Sequence, residues 1–220
     1  MPTSHFHHLH LLLIAQGAAV RAATASVQAN ALTDDALVAI IMSATASEAF
    51  INELADSVHV SRDSSLYAGR ISARLLACAD ILKEVEDAHG SVTLKYLVAS
   101  FSLSGRTFET GKNPFQDFAE LIKLRNAIVH LKPQDKVGPK RTDSLANRGL
   151  AHSTDTYQMA WVDRLQTPEC AAWAVKTARN IMLSINAMTP SETEAGELDP
   201  LDFQKKFFRD HPGFASISLD

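Results

Sequence analysis

The chain has 220 residues, of which 46% are hydrophobic and 21% charged, a composition typical of a soluble globular protein and not of a disordered or fibrous one. A formal net charge of -4 excludes a protein that coats nucleic acid through a large positive surface, although it leaves room for a local basic patch. Cys78 and Cys170 show no CxxC or Cys/His spacing, which favours a reducing compartment. We therefore expect a cytoplasmic protein with one folded core, no metal and no cofactor.

The first predicted helix covers residues 8–28. Its apolar run, Leu11 to Ile14, is followed by small residues and resembles the hydrophobic part of a secretory signal. However, no Lys or Arg precedes the run, and Gln16 and Arg21 interrupt its continuation. We therefore favour an ordinary amphipathic helix, with a signal peptide as the alternative. No segment reaches the roughly 18 uninterrupted apolar residues that a membrane span needs.

The same region carries four histidines: His5, His7, His8 and His10. A metal site built on them would lack Cys or carboxylate partners. We interpret them as a frayed polar terminus.

Three more helices are predicted before residue 105. The second, about 34–58, begins with Thr33 as its N-cap, and its apolar residues lie on more than one face, which indicates a central helix. The third covers 66–88 and is predicted to end at Gly90 as a left-handed C-cap residue. The fourth covers 92–103 and stops at a Ser-Gly pair.

The best-defined element is a helix predicted over 114–132. Asn113 is its expected N-cap, Pro114 lies in its first turn, and Gln116 completes a capping box, while Pro133 ends it. Two apolar stripes follow from helical spacing, one of Phe115, Phe118, Ile122 and Val129 and the other of Leu121, Leu124, Ile128 and Leu131.

A narrow polar strip formed by Lys123, Asn126 and His130 lies between these stripes. Asn126 and His130 are neighbours on it, whereas Arg125 is about 140° away from His130 and reaches it only through its long side chain. A guanidinium offers a planar fork suited to phosphate, and a histidine can take or give a proton near neutral pH. The structural alternative is that Arg125 and His130 only complement the negative end of the helix dipole.

The chain after this helix is predicted to be a long exposed excursion over 133–156. Five basic residues of this region outnumber Asp135 and Asp143: Lys132, Lys136, Lys140, Arg141 and Arg148. This excess is compatible equally with contact to a nucleic-acid backbone and with a solvated loop.

A last helix over 169–188 begins with Thr167 as N-cap and Pro168 at its first position. We therefore divide the chain into an N-terminal helix (1–30), an all-α helical bundle (31–189) and a polar, acidic C-terminal extension (190–220), which contains a short amphipathic piece at 201–208.

The set Arg125-Asn126-x-x-x-His130 resembles the signature of the HEPN superfamily, and the surrounding string PFQDFAELIKLRNAIVHLKP is similar to its members. The resemblance in helix order covers 31–188. It implies a bundle of four to five helices, frequently a homodimer in which the two motifs face each other. Many members are metal-independent endoribonucleases of toxin, antiphage or RNA-processing systems, and others are inactive binding modules.

By this resemblance, His130 is the general acid or base, Arg125 holds the scissile phosphate, and Asn126 orients either His130 or the phosphate. RNA supplies the nucleophile, because the 2′-hydroxyl attacks the adjacent phosphorus once its proton is removed. We expect further RNA contacts from the nearby basic residues: Lys123, Lys132, Lys136, Lys140 and Arg141.

Two polar residues of the second helix, Glu48 and Asn52, are expected to support Arg125, because buried charges are normally paired. An exposed helix face is the alternative. The leading hypothesis is an endoribonuclease, with an antitoxin as a companion protein. The alternative is a silent HEPN domain that serves dimerisation or the binding of nucleotides or RNA.

Overall fold

The computed structural model describes residues 6–29, 34–65, 67, 69–130, 137–153, 160–189, 200–202 and 205–206. These residues form helices and turns and contain no β-strand, which confirms the expected all-α fold. The helices are α1 (His7–Ala29), α2 (Asp35–Arg62), α3 (Ala73–Asp87), α4 (Val92–Ser104), α5 (Phe115–Val129), α6 (Val137–Ala146) and α7 (Pro168–Met188), with a short 3-10 helix at Asp163–Leu165.

The central element is α2, as predicted, and it packs against α1, α3, α4, α5 and α7. It continues four residues beyond its predicted end, while its expected N-cap, Thr33, lies outside the described residues. By length and composition alone α2 could also cross a membrane. Half of its apolar window is buried inside the bundle, and this central position is sufficient to explain its composition.

The first helix is amphipathic, as predicted, and buries Leu9, Leu12 and Ala15 in the main core. The interpretation of the histidines as a frayed terminus is wrong for His8, which is fully buried with its Nδ1 2.5 Å from Glu53 Oε2 of α2. The carboxylate comes from 45 residues away, so its role was not visible in the local sequence. The described residues contain no group of His, Cys, Asp and Glu that could hold a metal ion.

Small side chains line the contact between α1, α2 and α7. We call this contact the alanine seam; its members are fully buried and are Ala18, Ala22, Ala36, Ala39 and Ala171. Because the distance between packed helices depends on the side chains at their contact, alanines allow the three helices to approach closely.

The third helix begins seven residues later than predicted. Its N-cap is Ser72, whose Oγ accepts a hydrogen bond from the Leu75 N–H at 3.2 Å. Turns precede it in the described residues, including Gly69 in the left-handed region. The apolar spacing alone therefore extended the predicted helix too far toward the N-terminus.

At the end of α3 the left-handed residue is His89, with φ 55°, and not Gly90 as predicted. The His89 N–H donates to the Glu86 carbonyl and the Gly90 N–H to the Val85 carbonyl, both at 2.8 Å, which is the Schellman arrangement. Gly90 has a different role. A Cβ at this position would lie 2.9 Å from the Val85 carbonyl oxygen and 2.4 Å from its Cγ1.

The start of α5 differs from the predicted capping box. Pro114 occupies the N-cap position, and the Gln116 N–H donates to the Lys112 carbonyl at 2.9 Å. The side chain of Asn113 instead accepts from the Asp117 N–H at 3.3 Å. The predicted capping box does not form because the Gln116 N–H, which the Asn113 side chain was expected to bind, donates to the Lys112 carbonyl instead.

The end of α5 also differs, since the helix stops at Val129, three residues before the predicted end. Phe115, Phe118 and Ile122 are buried as their stripe predicts, but Val129 is 52% exposed. The described members of the second stripe are also buried: Leu121, Leu124 and Ile128. Leu131 lies outside the described residues.

The predicted exposed excursion over 133–156 is wrong for α6, which buries Thr142 and Leu145 completely. The helix lies against α5 and is held there by ion pairs that the sequence did not indicate. The start of α7 agrees with prediction, because the Thr167 Oγ1 accepts from the Cys170 N–H at 3.0 Å and Pro168 occupies the first turn. Of the amphipathic piece at 201–208, Leu201 is described and fully buried.

Candidate functional site

The polar strip on α5 is present: Lys123, Asn126 and His130 are all exposed, beside buried apolar neighbours. His130 is the C-cap residue, and its backbone N–H donates to the Asn126 carbonyl at 3.0 Å. Its imidazole makes no hydrogen bond within the described part of the chain and is therefore open to a ligand.

The guanidinium of Arg125 is mostly buried, with 19% of the side chain exposed, and it links two helices. Its Nη1 donates to Asn126 Oδ1 at 3.1 Å, and its Nη2 pairs with Glu48 Oε2 of α2. The Nε–H is buried and has no acceptor among the described residues. Arg125 is therefore held in a defined orientation, and the side-chain oxygen of Asn126, Oδ1, accepts from Arg125 and not from the His130 imidazole.

The contact between Glu48 and Arg125 was expected from the sequence, but a contact of Asn52 with Arg125 was not found. The Asn52 Oδ1 instead accepts from Lys95 Nζ of α4 at 2.8 Å. Lys95 also pairs with Glu86 of α3. The position of α2 between α4 and α5 explains the difference, because residues one turn apart on α2 meet different neighbours.

Lys95 is the polar residue that the sequence interpretation missed. It is 3% exposed, and burial lowers its pKa from the ordinary lysine value, while the nearby negative charge of Glu48 raises it. A single lysine within the apolar string VTLKYLVASFSLS was the available signal. We refer to Glu48, Asn52, Glu86, Lys95 and Arg125 as the Lys95 cluster, in which Lys95 is buried and Glu86 is exposed.

The expected basic patch is only partly available. Lys140 is exposed, but Arg141 pairs with Glu120, and Arg148 binds both carboxylate oxygens of Asp117 at 2.8 and 3.1 Å. These two arginines therefore attach the α6 region to α5. Lys132 and Lys136 lie outside the described residues.

A groove of about 710 Å³ lies at the other end of α5. It lies between the start of α5 and α7, and its polar lining includes Asn113, Asp117, Arg148, Lys176, Thr177 and Asn180. Thirteen residues at 1.5 Å each place Asp117 roughly 20 Å from His130 along the helix. The motif residues therefore lie on an open edge and not in this groove.

Compared with protein-family models, curated proteins and solved structures, the chain matches none. The function proposed below therefore rests on the residues of this chain.

Proposed function

We propose that the protein is a metal-independent endoribonuclease of HEPN type, with Arg125, Asn126 and His130 as its catalytic set. One observation carries the proposal: an exposed imidazole follows directly after a helix whose arginine, five residues earlier, is oriented by a carboxylate from α2. A proton-transfer group and an oriented cationic donor are the two groups that phosphodiester cleavage needs.

In this mechanism His130 removes the proton of an RNA 2′-hydroxyl. The oxygen attacks the adjacent phosphorus, the bond to the 5′-oxygen breaks, and the products are a cyclic phosphate and a 5′-hydroxyl. The departing 5′-oxygen takes a proton from a protonated imidazole. Proton transfer by a positioned side chain contributes about 10²- to 10⁴-fold to the rate.

The role of Arg125 is to bind the scissile phosphate. A guanidinium has five N–H donors, and Glu48 and Asn126 each take one of them. Since the Nε–H is buried, one hydrogen on each Nη nitrogen is left for phosphate oxygens. These two donors point from one planar group, which favours a two-point contact with phosphate.

We propose that the active form is a homodimer in which α5 of each copy contributes to one cleft. Val129, 52% exposed, lies directly before His130, and the neighbouring α4 exposes Leu94 and Phe101. A two-fold contact over this surface would bury these residues and bring two His130 side chains together, one to accept a proton and one to donate it. A companion antitoxin would act by covering the same surface.

The remaining RNA contacts are proposed for Lys123 and Lys140, which are exposed, and for Lys132 and Lys136. Arg141 would reach RNA only by leaving Glu120. We propose a cytoplasmic location, consistent with Cys78 and Cys170 being free and buried.

The alternative function is a silent HEPN domain that binds RNA or a second copy without cleaving RNA. The pairing of Arg125 with Glu48 favours it, because a neutralised cation attracts phosphate less strongly. The paired state of Arg141 and Arg148 favours it in the same way.

The deciding experiment incubates purified protein with single-stranded RNA and with DNA of the same sequence, in excess EDTA. We expect RNA fragments with cyclic-phosphate ends and intact DNA, which lacks the attacking hydroxyl. The variant His130→Ala should lose about 10²- to 10⁴-fold in rate. The control His10→Ala, which changes an exposed histidine of α1, should retain activity.

If wild type and His130→Ala are equally inert toward varied RNAs as soluble dimers, the binding-module alternative replaces the enzyme. Equal cleavage by both proteins would instead show that His130 is not the catalytic residue.

A further inference from the structure

A buried lysine in a helical bundle needs partners, because an ammonium removed from water without them is very costly. Lys95 has two, since Nζ donates to Asn52 Oδ1 at 2.8 Å and pairs with the carboxylate of Glu86. Both partners also line a small cleft of about 180 Å³ between α2 and α3. The ammonium is thus fixed beneath the surface of the bundle.

Lys95 also lies close to the carboxylate that holds Arg125. Glu48 and Asn52 are four residues apart on α2, so their side chains are neighbours on one face, about 6 Å apart. An ammonium bound to Asn52 is therefore near Glu48, whose negative charge partly offsets the lowering of the Lys95 pKa by burial. Glu48 thus interacts with two cations: it pairs with Arg125, and its charge also acts on Lys95.

We propose that Lys95 is a positioning residue for Arg125 that acts through Glu48, an inference that rests on the proposed phosphate-binding role of Arg125. The two carboxylates and two cations of the Lys95 cluster balance in charge. Lys95 offsets part of the negative charge of Glu48. Glu48 therefore orients Arg125 through Nη2 and leaves the remaining Nη hydrogens of Arg125 available to phosphate. Without Lys95, the surplus negative charge would tighten the Glu48–Arg125 pair and repel an incoming phosphate.

The first test compares Lys95→Met with the double variant Lys95→Met/Glu48→Gln. The single variant should raise KM for RNA more than it lowers kcat, because the loss falls on phosphate binding. The double variant should regain affinity, since it removes the carboxylate that Lys95 had offset. If Lys95 has only a structural role, we expect the opposite result: the double variant should bind RNA no more tightly than the single variant.

A second readout does not depend on RNA cleavage. Phenylglyoxal modifies arginine side chains, and peptide mass spectrometry gives the rate at Arg125 relative to the exposed Arg106 in the same sample. We expect Lys95→Met to slow the labelling of Arg125 by roughly fivefold, the size of about one partly exposed ion-pair interaction. The double variant should label faster than wild type.

Two further variants serve as controls for this test. Lys95→Gln removes the charge but keeps a donor for Asn52, so it should reproduce the effect of Lys95→Met if that protein folds poorly. Lys112→Met changes an exposed lysine that pairs with Glu109 and does not line the cleft between α2 and α3, and it should leave both KM and the labelling of Arg125 unchanged.

The outcomes separate this inference from the proposed function. Unchanged labelling of Arg125 in folded Lys95→Met and Lys95→Gln, or a double variant no better than the single one, overturns the positioning role whether or not RNA is cut. If the labelling follows the expected order while the wild type cuts no RNA, the coupling of Lys95 to Arg125 stands and the ribonuclease proposal fails.

Discussion

Arg125 and Glu48, 77 residues apart in sequence, join α5 to α2 through an ion pair on the edge of the bundle. The same guanidinium also binds Asn126, its neighbour on α5. A carboxylate on one nitrogen and an amide oxygen on the other fix the plane of the group, so its remaining Nη hydrogens have a defined direction.

This relationship makes Arg125→Lys a sharp test, because a lysine keeps the charge but cannot contact Glu48 and Asn126 with two coplanar donors. We expect kcat/KM for RNA to fall on the order of 10- to 100-fold, which corresponds to the loss of a charged hydrogen bond. Initial rates over a range of RNA concentrations measure the effect.

The matched control is Arg164→Lys, at a buried arginine that also makes two contacts, to Asp143 Oδ1 and to the His152 carbonyl, both at 2.8 Å. It should lower the free energy of unfolding but leave RNA cleavage unchanged. Equal activity of Arg125→Lys and wild type would mean that charge alone matters at the site.

The dimer proposal predicts that Val129→Glu produces a monomer, because two copies of a charged side chain would be placed in an apolar contact beside His130. Light scattering at micromolar concentration should show a dimer for wild type and a monomer of low activity for the variant. Val60→Glu changes a valine of α2 that is equally exposed, at 52%, and should remain dimeric. A wild type that is monomeric and active would contradict the proposal.

Substitutions at His89 and Gly90, the adjacent residues that end α3, should change the free energy of unfolding in opposite directions. His89→Gly should raise the free energy of unfolding by about 0.5–1 kcal/mol, because His89 has φ 55°, a conformation that costs an L-residue more than glycine. Gly90→Ala should lower it by about 1–3 kcal/mol, since the new Cβ would collide with Val85. Urea titration measures both. Gly111→Ala, where a Cβ meets nothing within 4 Å, is the control with little expected change.

Both cysteines are predicted to be unreactive in the folded protein. Burial raises the pKa of the Cys78 and Cys170 thiols to about 12, so that almost no thiolate is present at pH 8. Iodoacetamide should therefore label them only in urea. Rapid labelling of either thiol under native conditions would contradict their buried positions.

The same shift has a consequence for stability. An unfolded thiol loses its proton near its ordinary pKa of 9.0, whereas the folded thiols keep theirs to about 12. The free energy of unfolding should therefore fall as the pH rises above about 9, and Tyr96, whose pKa burial also raises, adds to this loss. Replacing both cysteines by alanine should reduce the alkaline loss in urea titrations at pH 8 and pH 10.

Features that depend on a few neighbouring residues could be predicted from the sequence. The cap by Thr167 with Pro168, the glycine that ends α4 and the polar strip of α5 all follow from local spacing, and the structure contains each of them. The contact between Glu48 and Arg125 was also reachable, because a charge on an otherwise apolar helix implies a partner.

The remaining features depend on partners that are distant in sequence. The isolated Lys95 implies a partner, but only the fold shows that its partners come from α2 and α3, just as only the fold brings Glu53 to His8. The α6 segment is polar enough to predict a loop, yet its arginines find carboxylates on α5. In each case tertiary contact overrides local composition.

The alanine seam has a consequence for which substitutions the bundle tolerates. Each alanine removes little apolar area from water, so the contact between α1, α2 and α7 depends mainly on dispersion between closely matched shapes. A more hydrophobic side chain at Ala39 would gain transfer free energy and still force the helices apart. Side-chain volume, and not hydrophobicity, should therefore limit variation at these positions, so the smallest residues of this core are the least replaceable by larger ones.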